Sequence, residues 1–170
     1  MKWILIVVGL LALAAVVVVI IGLALPKAHV ATRSLNLRQS PDTVYALIAG
    51  PPTWRSTVPS YEPVGLVDGK LTWREVDAHN HGITFEEVEA LPPRRRVTRI
   101  ADKNLPFGGT WTYEIEPSGN GARLRITENG EVYNPIFRFI SRYVMGHTAT
   151  INQYLKDVAA HFNEPAAIEN

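Results

Sequence analysis

The 170-residue chain contains no cysteine, which excludes disulfide bonds, thiolate metal sites, cysteine nucleophiles and lipidated cysteines. It also lacks an excess of either charge. Lys2 is the only charged residue before position 26, and residues 26–170 hold 16 Lys and Arg against 16 Asp and Glu. A neutral domain has no general positive field, so we expect no nucleic-acid partner. A domain of this size can bury a core without covalent cross-links.

Motifs of several common enzyme classes are also missing. The sequence has no glycine-rich nucleotide-binding motif, no recognisable Ser-His-Asp arrangement and no nucleophile elbow. We therefore expect no nucleotide cofactor, and no other motif indicates a cofactor of a different kind.

One long hydrophobic run is present at the N-terminus. Residues 3–25 consist of 21 apolar residues and two glycines. As a helix this run is about 34 Å long, which exceeds a hydrocarbon core of about 30 Å, so we predict a membrane-spanning helix within residues 1–26. A signal peptide is the alternative, but its apolar core is shorter and precedes a small-residue cleavage site, whereas this run ends at Leu25-Pro26-Lys27. Basic residues lie on both sides, which leaves the orientation open.

Residues 27–163 are predicted to form one α+β domain. Residues 29–37 are extended, and Ser40-Pro41-Asp42-Thr43 is typical of a helix start. From Tyr61 to Val132 short strand-like runs alternate with turns, among which Asp68-Gly69 predicts a two-residue hairpin. Two runs alternate clearly between apolar and polar residues. Their apolar members are Trp111, Tyr113 and Ile115 in one strand, and Leu124 and Ile126 in the next.

The last pattern predicts one long helix from Asn134 to Phe162. Its apolar residues fall within an arc of about 100°, with charged residues opposite, so we expect the helix to lie on a sheet. These apolar residues are Ile136, Ile140, Val144, Ile151, Leu155, Val158 and Phe162. Residues 164–170 show no pattern, and we predict a disordered tail.

This order of elements resembles the START/SRPBCC superfamily, which has the helix-grip fold. Two segments are similar in sequence to bacterial polyketide cyclase/dehydrase-like proteins. They are SPDTVYALIAGPPTW (40–54) and GGTWTYEIEPSGNGARLRITENGEV (108–132). The resemblance covers residues 28–163. It implies a curved antiparallel sheet of about seven strands around the long C-terminal helix, with an apolar cavity between them. Members include lipid and sterol carriers and aromatic polyketide cyclases. With the N-terminal run, it implies a single-pass protein of a bacterial plasma membrane.

His147 and Glu128 are the candidates for acid/base chemistry. On a continuous helix His147 would lie about 20° from Ile140, within the apolar arc. If the alternation of Leu124 and Ile126 continues, Glu128 faces inward as well. Such a pair could catalyse aldol cyclisation or dehydration, could bind a ligand, or could be a structural pair that satisfies its own hydrogen bonds.

A set of aromatic residues is available to line a cavity. Equally, these rings could fill a solid core, and the face on which Trp73 lies stays open. The predicted ligand-binding residues are Trp54, Phe85, Trp111, Tyr113, Glu128, Tyr143, His147 and Ile151.

Two polar clusters have alternative interpretations. Asp77-x-His79-x-His81 could be drawn as a metal site, but no further ligand lies nearby in sequence, so we interpret it as a hairpin loop and predict no metal. The basic run 94–96 with Arg99 could contact anionic headgroups. We favour a solvated surface balanced by the acids of residues 86–89.

The sequence therefore predicts a membrane-anchored domain that binds a small hydrophobic molecule, such as a lipid, an isoprenoid or an aromatic metabolite. An enzyme of the cyclase/dehydratase type that uses His147 and Glu128 is the alternative. A scaffold whose cavity is filled by its own side chains is a third possibility. The oligomeric state is left open.

Overall fold

The computed structural model describes residues 1–170 and begins with a long apolar helix. Helix α1 spans Lys2–Ala24, and it is long and apolar enough to cross a membrane by length and composition. Its most apolar stretch is not buried against the rest of the protein. A signal sequence would pass the same test of length and composition.

An eight-stranded antiparallel sheet makes up most of the remaining chain. Strand β1 (Ala28–Leu37) follows α1 and is separated from the other strands by α2 (Pro41–Ala49) and a short 3₁₀ turn (Pro52–Trp54). The meander then runs through β2 (Ser60–Val67), β3 (Lys70–Val76), β4 (Gly82–Leu91), β5 (Arg95–Ile100), β6 (Phe107–Ser118) and β7 (Gly121–Val132). The order across the sheet is β2-β3-β4-β5-β6-β7-β1-β8, where β8 is Ile168–Glu169. The predicted curved antiparallel sheet is confirmed, with one strand more than expected.

Local sequence signals explain where the early elements begin and turn. The Ser40 hydroxyl accepts a hydrogen bond from the Thr43 backbone N–H, and Pro41 occupies the first turn of α2, as predicted. Asp68 and Gly69 both adopt positive φ angles, 51° and 76°, which a two-residue hairpin of this type requires.

The C-terminal helix forms the core with strands β1, β6 and β7. Helix α4 (Ala149–His161) buries Ile151, Leu155 and Val158 completely against the sheet, where they meet Leu35 of β1 and Leu124 of β7. Apolar side chains of α2 join the same cluster. The apolar arc of the sequence therefore identified the buried face of α4 correctly.

The predicted helix from Asn134 to Phe162 is interrupted. It starts at Asn134, whose side chain caps α3 (Pro135–Ile140), and continues as a π-helical turn over Ser141–Met145. Gly146 then has a φ angle of 76°, and its N–H donates to Ser141 O to close the π turn. Because this backbone conformation is incompatible with a continuing helix, α4 begins anew at Ala149.

The C-terminal tail also differs from the prediction of disorder. Ile168 and Glu169 pair with Leu35 and Ser34 as the edge strand β8. The Glu164 carboxylate accepts hydrogen bonds from the backbone N–H of Arg38 and from Gln39. Two residues of strand are too few to produce an alternating pattern, which is why the sequence did not indicate them.

Candidate functional site

A cavity of about 530 Å³ lies between the sheet and the helices. The accessible surface of its wall is mainly apolar, and about half of the lining residues are hydrophobic; the charged residues that line it include Arg55, Glu75, Arg96 and Glu128. This size and composition are typical of small-molecule sites. The predicted ligand-binding residues that line it are Trp54, Phe85, Trp111, Tyr113, Glu128 and His147.

Two predicted ligand-binding residues lie away from the cavity. Ile151 is completely buried in the core between α4 and the sheet. Tyr143 lies on the π-helical turn with 60% of its surface exposed, and its ring packs against Phe139. Ile151 was predicted from the apolar arc of the helix and Tyr143 from the set of aromatic residues, and neither pattern distinguishes the cavity wall from the core or from an exposed turn.

Tyr154 forms the centre of the aromatic wall, and the sequence prediction did not include it. Its ring lies 5.3 Å from the ring of Trp54, 5.7 Å from that of Trp111 and 5.5 Å from that of Tyr113. Its spacing from Ile151 and Val158 places it on the buried face of α4, so the helical period could have identified it.

Trp73 and Phe85 form a second aromatic pair on the wall. Their rings stack with centroids 5.9 Å apart, since the two residues are paired across β3 and β4. The Arg96 guanidinium lies 4.9 Å from the centre of the Trp73 ring and also donates to Ile48 O and Glu87. The open question about Trp73 is thus answered: it is buried and faces the cavity.

A buried arginine brings charge to this part of the wall. Arg55 forms an ion pair with Glu75 at 2.6 Å, and its guanidinium lies 4.9 Å from the centre of the Tyr154 ring. Two buried donors of the wall, Trp54 Nε1 and Arg55 Nε, have no hydrogen-bond partner. Burying a donor without a partner is costly, so a ligand with an acceptor group would gain by meeting them.

Glu128 is a largely buried carboxyl group on the cavity wall. It lies opposite Trp111 in the register of β6 and β7 and continues the inward alternation of Ile126, as the sequence predicted. Burial raises its pKa to about 7, and a hydrogen bond from Trp111 opposes the rise only in part. A carboxyl group with this pKa can donate or accept a proton near neutral pH.

The predicted pairing of His147 with Glu128 is not what the structure shows. His147 lies in the turn after Gly146, where its Nδ1 is 3.1 Å from Ser141 Oγ. Its ring stacks on the ring of His29, with centroids 4.1 Å apart. His29, and not His147, approaches Glu128, with 3.7 Å between Nε2 and Oε1. The helical wheel failed here because His147 is not on a helix.

His29 is therefore the functional candidate that the sequence prediction missed. It precedes Ala31 by two residues on β1, so strand alternation places it on the same face as that buried residue. Gly130 lies opposite it in the register, and a Cβ atom there would come within 2.3 Å of the imidazole ring. The missing side chain of Gly130 gives the His29 ring its space.

Burial shifts the pKa of all three titratable groups toward the uncharged form. Burial lowers the pKa of His29, and the neighbouring His147 lowers it further. Burial also lowers the pKa of His147, with a smaller effect from Arg142. Because the pKa of Glu128 moves the other way, His29 and Glu128 do not form a full ion pair, and 3.7 Å is too long for a hydrogen bond. The arrangement places a carboxyl group with a pKa of about 7 beside two imidazoles whose pKa values are lowered.

The polar cluster Asp77-x-His79-x-His81 forms the turn between β3 and β4. The Asp77 carboxylate accepts hydrogen bonds from the backbone N–H groups of His79 and His81 and thereby holds the β3-β4 turn. No group of three or more His, Asp or Glu side chains is arranged to hold a metal ion.

The basic residues at the start of β5 are paired with acids. Arg95 contacts Glu89 and Glu114, and Arg99 contacts Glu86. Successive strand registers also place Arg95 level with Ser34, several residues along β1 from the end where α1 joins the domain. Arg95 and Arg99 therefore belong to a charge-balanced surface, whereas Arg96 is buried against Trp73 and contradicts the prediction of a solvated run.

Comparison with known families identifies the family of this chain. A family model described as polyketide cyclase/dehydrase and lipid transport matches residues 28–161. The chain belongs to this family. No curated protein matches it in sequence.

Solved structures of the helix-grip type are similar in fold. A protein from Mesorhizobium loti is 9% identical with a TM-score of 0.61, over 79% of this chain and 97% of that one. Norcoclaurine synthase from Thalictrum flavum is 11% identical with a TM-score of 0.60, over 81% and 88%. The di-domain ARO/CYC StfQ from the steffimycin biosynthetic pathway is 16% identical with a TM-score of 0.59, over 78% and 50%. At these identities the likeness concerns the fold alone.

Proposed function

We propose that the protein is a membrane-tethered binder of a small hydrophobic molecule, which occupies the cavity between the sheet and the C-terminal helices. The observation that carries the proposal is a cavity of about 530 Å³ that is lined by aromatic rings and whose accessible surface is mainly apolar. Helix α1, which is long and apolar enough to span a bilayer, supports the tether. Tethering keeps the cavity where hydrophobic molecules concentrate.

The polar groups of the wall define the chemical class of the ligand. The rings around Tyr154 suit a flat or branched hydrocarbon body. The unpaired donors of Trp54 and Arg55 suit a hydrogen-bond acceptor at one end, such as a carbonyl or phenolic oxygen. We infer an amphipathic lipid, isoprenoid or aromatic metabolite.

Extraction of the purified protein tests this proposal. The full chain is isolated in detergent, extracted with organic solvent and analysed by mass spectrometry, and we expect a stoichiometric small molecule. Ile83→Trp on β4 fills the cavity, whereas Val88→Trp on the same strand adds similar volume at a half-exposed site outside it. The first variant should lose the molecule and the second should keep it. An empty wild-type chain, or equal loss from both variants, contradicts the proposal.

Acid/base catalysis is the second candidate function, and Glu128 favours it. Its pKa of about 7 suits proton transfer to or from a bound carbonyl compound, as aldol cyclisation or dehydration requires. If the cavity catalyses dehydration, Glu128→Gln should retain an unreacted ligand that is heavier by one water than the ligand of the wild type. Glu116→Gln is the matched control, because it makes the same change at an exposed residue of β6 that does not line the cavity. Identical ligand masses in all three proteins exclude dehydration, and identical chromatographic retention of the three ligands excludes cyclisation, which changes the shape of the ligand and not its mass.

A further inference from the structure

Helix α3 packs directly against the end of the apolar helix α1. Within α1, Val18, Val19 and Ile21 are half-buried and Gly22 is buried, while the preceding residues are exposed. A Cβ atom on Gly22 would lie 2.0 Å from Pro135 O, so the contact requires glycine. From Val18 to Ala24 the axis of α1 rises about 9 Å, and α3 lies beside this last part.

A buried arginine joins the two helices. The carbonyl of Gly22 would accept from residue 26 in a regular helix, but Pro26 has no N–H. Arg138 of α3 replaces that donor, with hydrogen bonds to Gly22 O at 3.0 Å and to Leu25 O at 3.1 Å. A cation at the C-terminal end of α1 also complements its dipole. The position of α3 relative to α1 is therefore set by specific contacts.

The outer face of this region is apolar, and nothing in the chain covers it. We define the interfacial segment as residues 135–145, which comprise α3 and the π-helical turn. Its strongly exposed residues include no acid, and no acid occurs between Glu131 and Asp157. Arg142 is exposed beside them. The exposed apolar residues of the segment are Ile136, Phe137, Tyr143, Val144 and Met145.

Its composition and its depth both match a bilayer surface. If α1 spans the membrane, its last 9 Å or so extend from the outer hydrocarbon into the boundary with the headgroups, because the helix exceeds the hydrocarbon core by only about 4 Å. Aromatic rings and arginines are typical of this boundary, and an apolar helix face inserts about 5–10 Å into it. Because the exposed apolar residues are continuous with a membrane helix, we expect lipid to be what they contact.

The interfacial segment also forms one end of the ligand cavity. Phe137, Ile140 and Met145 line the cavity, and Met145 is 63% exposed. A second cavity of about 330 Å³ lies between residues 25–30 at the end of α1 and Arg138 and Arg142. The two cavities share His29, Val132 and His147, so the stacked imidazoles stand between them.

We propose that the interfacial segment inserts into the bilayer surface that α1 enters and turns this end of the cavity toward lipid. The ligand then exchanges with the membrane through the side of the cavity bounded by Phe137 and Met145. This inference rests on the proposed tethering by α1. It adds the partner surface and the direction from which the ligand arrives.

Fluorescence quenching on the full chain tests the proposal. Because the chain has no cysteine, single-cysteine variants can be labelled with an environment-sensitive fluorophore and reconstituted into phosphatidylcholine vesicles with or without brominated acyl chains. Val144→Cys reports on the interfacial segment, where 72% of the side chain is exposed, and Leu13→Cys reports on the middle of α1. Leu91→Cys is the control, since it is 54% exposed and pairs with Arg95, away from α1.

We expect brominated lipid to quench the labels at positions 13 and 144 several-fold more than the label at position 91. Quenching at 13 without quenching at 144 overturns the inference and leaves the tether intact. No quenching at 13 overturns the tether and the inference together. Aqueous iodide adds a further outcome: a label at 144 that is shielded from iodide but not quenched by lipid means that a second protein surface covers the segment, which also overturns the inference.

Discussion

At the scale of single residues, the cavity is governed by what burial does to three titratable groups. Burial favours the uncharged forms of Glu128, His29 and His147, and the packing of His29 against Gly130 and His147 keeps them together. A cluster of neutral groups can be buried in an apolar wall without the large cost of isolated charges. Because its pKa is about 7, Glu128 can donate or accept a proton near neutral pH.

The raised pKa of Glu128 makes a prediction about stability. In the unfolded chain its carboxyl ionises near pH 4.5, and in the folded protein near pH 7, so the folded state holds the proton more tightly. The stability that the folded state gains from holding this proton is fully present below pH 4.5 and is lost as the pH rises through 7. Glutamine does not ionise, so the Glu128→Gln variant should not lose stability in this way as the pH rises. We expect the variant to be more stable than the wild type at pH 8 by at most about 3 kcal/mol.

Thermal unfolding of the full chain in detergent between pH 4.5 and 8 provides the measurement. The difference between variant and wild type is the relevant quantity, because the lowered pKa values of His29 and His147 affect both proteins alike and act in the opposite direction. A stability difference that does not grow with pH would show that the Glu128 carboxyl is not desolvated.

At the scale of the elements, periodicity decided what the sequence could predict. The start of α2, the Asp68-Gly69 hairpin and the inward residues of β6 and β7 follow from signals a few residues long, and all were confirmed. The buried face of α4 follows from the same kind of signal. The prediction failed where the helical period was continued across a residue whose backbone is not helical.

Gly146 is the clearest case of such a residue. A glycine within a helical pattern is compatible with helix, and only the long-range fit of α3 against α1 and of α4 against the sheet shows that the chain must turn there. His147 was misplaced for this reason. His29 was missed because its importance depends on Gly130, which lies a hundred residues away in the chain and opposite it in the sheet.

At the scale of the whole molecule, the apolar helix and the domain form one unit. Pro26 deprives α1 of its last regular hydrogen bond, Arg138 supplies a replacement, and α3 thereby connects the end of α1 to the wall of the cavity. A flexible tether would need none of these contacts. Their presence means that the angle at which α1 leaves the domain also sets the direction that the cavity faces.

The rigidity of this connection is the basis of the last prediction. Gly22→Ala places a methyl group where Pro135 O now lies, so α3 must move away from α1, at a cost of about 1–3 kcal/mol. Gly9→Ala in the same helix meets nothing within 4 Å and serves as the control. In detergent, the Gly22 variant should unfold at a lower temperature, and trypsin should cleave it faster after Arg138, which is buried in the wild type. Equal cleavage rates in the two variants would mean that α1 is only a flexible anchor, because a rigid joint cannot accommodate the added methyl group without exposing Arg138.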